Sequence, residues 1–390
     1  MNPLRIQIWP KKLILGRGSV DTLSDLMGEL GGHRALVLCG KTVATGPILP
    51  RVRDALGDKC GGVFDNVAPH TPLPMVRTIV ATAHELGADT IVSVGGGSAI
   101  DAGKGTAILH ASGGALDPFA IRYAADGTIQ RELLPGATIT HIAIPTTSGS
   151  SSEVLPTAGI RDVDRRVKML FWDDALIPSA AILDPEMTVH TNPALTAASG
   201  MTAVARCVES LYSRYRNPFA EGLALHALRL LHRNLPIATE QPGNLEVRQD
   251  CQVACAMSGI AAINSMVSVV HALGHIVGGR YGLQHGVSHS ILLAPAMRLY
   301  LPTVGEGQRL VLDAMDGGGA ATADDAGSIA ADLMEELLSR LPLAARLRDL
   351  GIPSGDLPEI AENASHDYMM ANVPTPTAVP QIEALLRSAW

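Results

Sequence analysis

Four histidines, His271, His275, His285 and His289, fall within nineteen positions of a 390-residue chain. His271 and His275 are four apart and therefore share one face of any helix that carries them. An imidazole titrates near neutral pH, so histidine is the usual general acid or base and the commonest metal ligand. His271, His275 and His285 are read as functional on this spacing, and His289 as structural. HALGH lacks the glutamate that follows the first histidine in the HExxH zinc hydrolase motif. There is no GxSxG nucleophile elbow and no paired-carboxylate signature, so hydrolase readings lose ground.

A second chemical signal is the turn Gly95-Gly96-Gly97-Ser98, which follows the apolar run Thr90–Val94. Glycines at the carboxyl end of a parallel strand let backbone N–H groups approach a pyrophosphate, and the helix that follows favours its charge. Ser98 adds a hydroxyl donor, and Asp101 and Lys104 follow one helical turn apart. The alternative is a plain tight turn, since GxGxxG is not matched. A second polar loop, from Pro145 to Glu153, carries Thr146, Thr147, Ser148, Ser150, Ser151 and Ser152 after another apolar run. It reads as a phosphate or ribose loop, or else as a flexible serine-rich one. Gly16-Arg17-Gly18 reads as a simple turn.

These groups need elements to hold them. Ala35–Cys39, Thr90–Val94, Ile139–Ile144 and Ala180–Leu183 are short, apolar and β-branched, and read as buried strands. Ile48–Leu56, Met75–Leu86 and Ala99–His110 have helical periodicity. Alternation of this kind implies right-handed crossovers and a mostly parallel, Rossmann-like sheet. From about Pro193 the strand signals give way to long Ala/Leu-rich stretches, with breaks expected at Pro236, Pro242-Gly243, Gly317–Gly319 and Pro353. The expected domains are therefore an α/β unit over 1–190 and an all-helical unit over 191–390. Ala254 to Gly274, small residues with polar insertions, is read as a buried helical spine.

Composition narrows the partners. A net charge of −8 offers no basic stripe for nucleic acid. The densest positive stretch, Arg161 to Lys168, alternates with Asp162 and Asp164 and reads as a solvated loop. The five cysteines are odd in number and form no CxxC pair, which suits reduced thiols in a cytoplasm. Cys251 and Cys255 are read as core residues. The N-terminus shows no signal peptide and no run reads as a lipid-facing helix, so no membrane partner is expected.

Taken together, GGGSAIDAGKG at 95–105, IPTT at 144–147, VKM at 167–169 and HALGHIVGGRYGLQHG at 271–286 resemble the iron-containing (group III) alcohol dehydrogenase family along the whole chain. The resemblance implies a dehydroquinate synthase-like architecture. An N-terminal α/β domain binds NAD(P), a C-terminal helical domain holds a divalent metal, and the nicotinamide lies in the cleft between them. It assigns the phosphate turn to Gly95, Gly96, Gly97 and Ser98 with Asp101, the second cofactor loop to Thr146, Thr147 and Ser150, and a cleft lysine to Lys168. The later two metal positions fall on His271 and His285, with His275 a neighbouring cleft histidine. The first two, an Asp and a His in the family, fall on Thr202 and Arg206.

Threonine is a poor ligand and a guanidinium repels a divalent ion, so iron or zinc is not expected here. Arg206 then becomes the fixed positive charge that faces a developing alkoxide or a substrate carboxylate. The alternative is an ion pair with Glu209 on its own helix. His271, His275 or His285 delivers the proton. The expected activity is NAD- or NADP-dependent interconversion of an aldehyde, ketone or keto acid and its alcohol, in a cytoplasmic homodimer. HTP at 70–72 and the C-terminal IEALLRSAW are similar to the maleylacetate reductase branch, so a reductase of anionic keto acids is the alternative. A catalytically silent nucleotide-binding relative is the reading from another class. Gly40 and Lys41 stand where many NAD-preferring members place an Asp, so NADP is allowed and Lys41 can attract its 2′-phosphate.

Overall fold

The computed structural model describes residues 12–123, 129–135, 139–315 and 323–390. The chain divides into two compact units that meet in sequence between Val189 and His190.

The first unit is an α/β domain. Its elements are β1 (Lys12–Leu15), α1 (Leu23–Glu29), β2 (Ala35–Cys39), α2 (Lys41–Ala44), α3 (Ile48–Leu56), β3 (Cys60–Phe64), α4 (Leu73–Leu86), β4 (Thr90–Gly95) and α5 (Gly97–Ala111). They continue with β5 (Arg122–Tyr123), β6 (Ile129–Gln130), β7 (Thr140–Pro145), β8 (Thr157–Asp162), β9 (Val167–Trp172) and β10 (Ala180–Leu183). Six strands form one parallel sheet in the order β1-β10-β7-β4-β2-β3. The central strands are apolar on both faces because helices cover both, which is why they read as continuous hydrophobic runs. The sheet places β4 beside β7 with Gly95 level with Pro145, so the two polar loops leave the sheet at adjacent strand ends. Arg161 to Lys168, expected as a solvated loop, instead straddles an antiparallel hairpin of β8 and β9 with Lys168 opposite Arg161.

The second unit is helical: α6 (Pro193–Tyr212), α7 (Pro218–Glu240), α8 (Leu245–Ser265), α9 (Val269–Tyr281), α10 (His285–Tyr300), α11 (Gly305–Ala314), α12 (Ala323–Ser339), α13 (Leu357–Ser365) and α14 (Val379–Ala389). Asn192, Asn217 and Asn244 cap α6, α7 and α8 through their side-chain oxygens, and Pro193 and Pro218 occupy the first helical turn. Asn-Pro at a helix start satisfies one orphan N–H and presets φ. α6 is almost wholly buried and forms much of the core with Leu228, Leu231, Leu273 and Leu292.

Several expected breaks differ. Pro236 lies inside α7, which runs on to Glu240. The Ala254 to Gly274 spine is two helices bent by 110°, because Met266 adopts a left-handed φ of 64° and ends α8. α9 passes through Gly278-Gly279 to a left-handed cap at Gly282. Gly317–Gly319 lies outside the described residues. Cys251 and Cys255 are buried and all five cysteines are free thiols. Among the described residues no single helix is long and apolar enough to cross a membrane.

Candidate functional site

In the α/β domain the chain leaves β4 at Gly95, whose φ of 154° only glycine adopts readily, and enters α5 at Gly97 with Gly96 as its cap. The Gly97 and Ser98 amides that open α5 have no intrahelical acceptor and can face an anion, whereas Ala99 N–H donates to Gly96 O at 3.0 Å. The second loop closes on this turn. Thr146 N–H donates to Gly95 O at 3.0 Å. A Cβ on Gly96 would stand 3.4 Å from Thr147 Oγ1, and one on Gly97 would stand 3.0 Å from Ser150 Cβ. Hydroxyls of Thr147 and Ser150 thus flank the bare backbone of Gly96 and Gly97. Ser98 Oγ accepts from His70 N–H at 3.1 Å and keeps its own proton to donate. This cradle of amides and hydroxyls fits a pyrophosphate.

Other expected cofactor residues stand differently. Asp101 has both carboxylate oxygens engaged within the protein, accepting from Ser152 Oγ at 2.5 Å and from Gly159 N–H at 3.1 Å. Lys168 is exposed, its stem lying over Gly159. Lys41 Nζ pairs with Asp65 at 3.0 Å, so its charge is already partnered. Gly40 follows β2 and packs under Val67 O. The serine-rich loop is largely buried (Ser148, Ser151, Ser152 and Glu153), unlike the flexible alternative.

In the helical domain α9 and α10 bring the histidines together. His275 and His285 meet edge to face at 5.7 Å between centroids, His285 and His289 stack at 5.8 Å, and His271 and His289 lie 4.3 Å apart. The start of α10 reaches α6 because Gly286 has no side chain: a Cβ there would fall 1.6 Å from Ala198 O and 2.9 Å from Thr202 Oγ1. His289, expected to be structural, is buried inside the cluster with both ring nitrogens lacking a protein partner.

Two carboxylates hold two of these rings. Glu209, fully buried, accepts from Ser268 Oγ and Val270 N–H at 2.9 Å each and makes a short contact with His271 Nδ1. Asp367 stands 3.0 Å from His275 Nδ1. Both rings therefore offer Nε2 for chemistry, and His271 Nε2 has no protein partner. Burial lowers the His271 pKa below the ordinary histidine value against the opposing pull of Glu209, and the Arg206 charge pushes the same way as burial. His289 is held well below it by burial and then by the neighbouring imidazoles and Arg206. Glu209 thus ties the start of α9 and the His271 ring to α6.

The profile of iron-containing alcohol dehydrogenases matches residues 10–185, and that of the Fe-containing alcohol dehydrogenase family C-terminal domain matches residues 196–390. The chain belongs to the iron-containing alcohol dehydrogenase family. It is 30% identical to a 1,3-propanediol dehydrogenase of Klebsiella pneumoniae over 98% of this chain and 97% of that one. It is 31% identical to maleylacetate reductase 2 of Cupriavidus pinatubonensis over 75% and 73% of the two chains. A crystal structure of a 1,3-propanediol oxidoreductase superposes with a TM-score of 0.93 at 28% identity, each chain fully covered. As a member of this family the protein is an oxidoreductase of the alcohol dehydrogenase and carbonyl reductase type.

The positions that the resemblance assigns to the family's metal carry Thr202, Arg206, His271 and His285. Among the described residues no group of three His, Cys, Asp or Glu side chains is arranged to hold an ion. Thr202 Oγ1 turns back to Ala198 O of its own helix at 3.4 Å. Arg206 brings a permanent cation close enough to depress both His271 and His289, and a divalent ion would add charge of the same sign.

The contacts of Glu209 and Asp367 with His271 and His275, and the place of His289 inside the histidine cluster, were not foreseen. Glu209 and Asp367 lie 62 and 92 positions from their histidines, and no local spacing signals such contacts.

Proposed function

We propose that the protein interconverts a carbonyl compound and its alcohol with NAD or NADP, and does so without a catalytic metal. What supports this reading is that Thr202 and Arg206 stand at two of the four positions the family resemblance assigns to the metal, and that the Arg206 charge acts on the buried His271 and His289. A bound nicotinamide would give or take the hydride. Gly96, Gly97 and Ser98, with Thr147 and Ser150, hold its pyrophosphate. Arg206 stabilises negative charge on the substrate oxygen, as a fixed dipole or charge does when aimed at the atom where charge develops. His271, His275 and exposed His285 supply or accept the hydroxyl proton, and the carboxylates on Nδ1 keep His271 and His275 in one tautomer.

A second reading has support from the same residue. Arg206 can fork onto a carboxylate, and the match to a maleylacetate reductase favours an anionic keto acid as substrate. The proposal extends to a homodimer in the cytoplasm, where the five free thiols would stay reduced.

The test is metal content of protein purified without chelator, with NADH and NADPH oxidation measured on aldehydes and keto acids before and after EDTA. Activity that survives EDTA at less than about a tenth of an equivalent of metal supports the reading, since a resident catalytic ion must be near stoichiometric. A stoichiometric metal whose removal abolishes turnover would sink it.

A further inference from the structure

Among the described residues of the α/β domain, Lys104 is the most deeply buried cation, with no measurable exposure. Its ammonium donates to Leu155 O and Thr157 O, both at 2.7 Å. These carbonyls flank Pro156, which has no N–H, at the point where the serine-rich loop ends and β8 begins. Asp101 and Glu153 are the acidic groups that act on the ammonium. One turn earlier on the same helix, Asp101 receives Ser152 Oγ from within the loop and Gly159 N–H from β8. The loop's other end is tied to β4 through Thr146 N–H and Gly95 O.

The loop is thus staked at its start, middle and end to the strand and helix that carry the glycine turn. Burying a charge is costly unless it is paired and hydrogen-bonded. A buried lysine used only to close two backbone carbonyls has a simpler apolar substitute in most cores. Here the carbonyls belong to the segment that sets Ser150 Oγ 3.3 Å, and Thr147 Oγ1 3.4 Å, from where a Cβ would sit on Gly97 and Gly96.

We propose that Lys104, assisted by Asp101, is a positioning residue for the nucleotide: its ammonium fixes the second loop so that Thr147 and Ser150 complete the phosphate cradle opened by Gly96 and Gly97. The inference rests on the nucleotide reading of that cradle. Lys104 touches no ligand itself and acts through the loop. The phosphate helix therefore builds both halves of the cradle, one with its amides and the other through two charged side chains.

The test is a double-mutant cycle on NADH binding, read by nicotinamide fluorescence, between Lys104→Met and Ser150→Ala. Lys104→Met is expected to weaken NADH about tenfold. Ser150→Ala is expected to weaken it about fivefold in the otherwise unmutated protein and less than twofold in the Lys104→Met background, because a displaced loop no longer presents that hydroxyl. A merely structural lysine would lower the melting temperature and leave the two effects on NADH additive. If Lys104→Met does not fold, Ser152→Ala, which removes only one bond to Asp101, must show the same non-additivity at smaller amplitude. Unmutated protein that binds NADH while the losses are additive, or absent, overturns this inference alone. Unmutated protein that binds neither NADH nor NADPH overturns the nucleotide reading and this inference with it.

Discussion

Glu209 on α6 and His271 on α9 form a buried carboxylate–imidazole pair through Nδ1. The same carboxylate takes the hydroxyl of Ser268 and the amide of Val270 at the start of α9, so one side chain both anchors the helix and orients the ring. Glu209→Gln keeps the shape and loses the charge. It is expected to lower kcat about 10- to 100-fold, the usual range for losing a partner that orients a functional histidine, while NADH binding changes less than twofold. Glu209→Ala leaves three buried donors unsatisfied and should destabilise the protein by roughly 3 kcal/mol. Unchanged kcat in Glu209→Gln, by steady-state kinetics, would remove His271 from the mechanism.

Gly286 lets the start of α10, where His285 stands, pass against α6 at Ala198 and Thr202. A Cβ at 1.6 Å from Ala198 O cannot be absorbed by a side-chain rotation, because the obstacle is backbone. Gly286→Ala is expected to cost about 3 kcal/mol or more and to lower activity by moving His285. Thermal melting of Gly286→Ala, set against Gly279→Ala, where a Cβ meets nothing within 4 Å, checks this. Equal melting temperatures would contradict the contact.

The sequence made some of this legible and hid the rest for physical reasons. Strand β10 is the expected Ala180–Leu183 and α3 the expected Ile48–Leu56, because buried parallel strands and amphipathic helices carry their own signal in residue type and period. Strand β3, CGGVF, was not foreseen, since two glycines mask its propensity and only pairing with β2 makes it a strand. The kink at Met266 breaks an otherwise continuous helical pattern at a residue with good helix propensity. The histidine spacing pointed to the cluster, yet gave no hint that Glu209 and Asp367 would hold two of its rings. Asp101 was visible as a polar residue after the turn, but whether it faced a ligand or its own loop depended on where β8 would pass.

Lys41 and Asp65 pair at 3.0 Å on the surface beside Gly40. A 2′-phosphate arriving there meets a lysine already neutralised and a carboxylate that repels it. Asp65→Asn is expected to raise kcat/KM for NADPH relative to NADH about threefold to tenfold, and Lys41→Ala to erase that gain when the two are combined. The measurement is the NADPH to NADH ratio at low salt, where surface electrostatics is least screened. A ratio unmoved by Asp65→Asn would place the ribose elsewhere.

Stability should fall on the acid side of neutrality because buried histidines must stay uncharged. His141, bonded through Nε2 to Ser93 Oγ at 2.9 Å, is pushed down to about 3 by burial and by the Lys104 charge. The unfolded chain binds a proton at about 6.5 while the folded one does not until far lower, so the stabilisation is complete above about 6.5 and is lost as pH falls below it. The loss is about 1.4 kcal/mol per pH unit, or roughly 2 kcal/mol at pH 5, for this one group. His271 and His289, both lowered by burial, add in the same direction. Urea midpoints at pH 7.5, 6.5 and 5.5 are expected to fall a little across the first interval and roughly three times as far across the second. His141→Gln should flatten that drop in part. Midpoints that rise toward pH 5.5 would show that these histidines charge in the folded protein and find partners there.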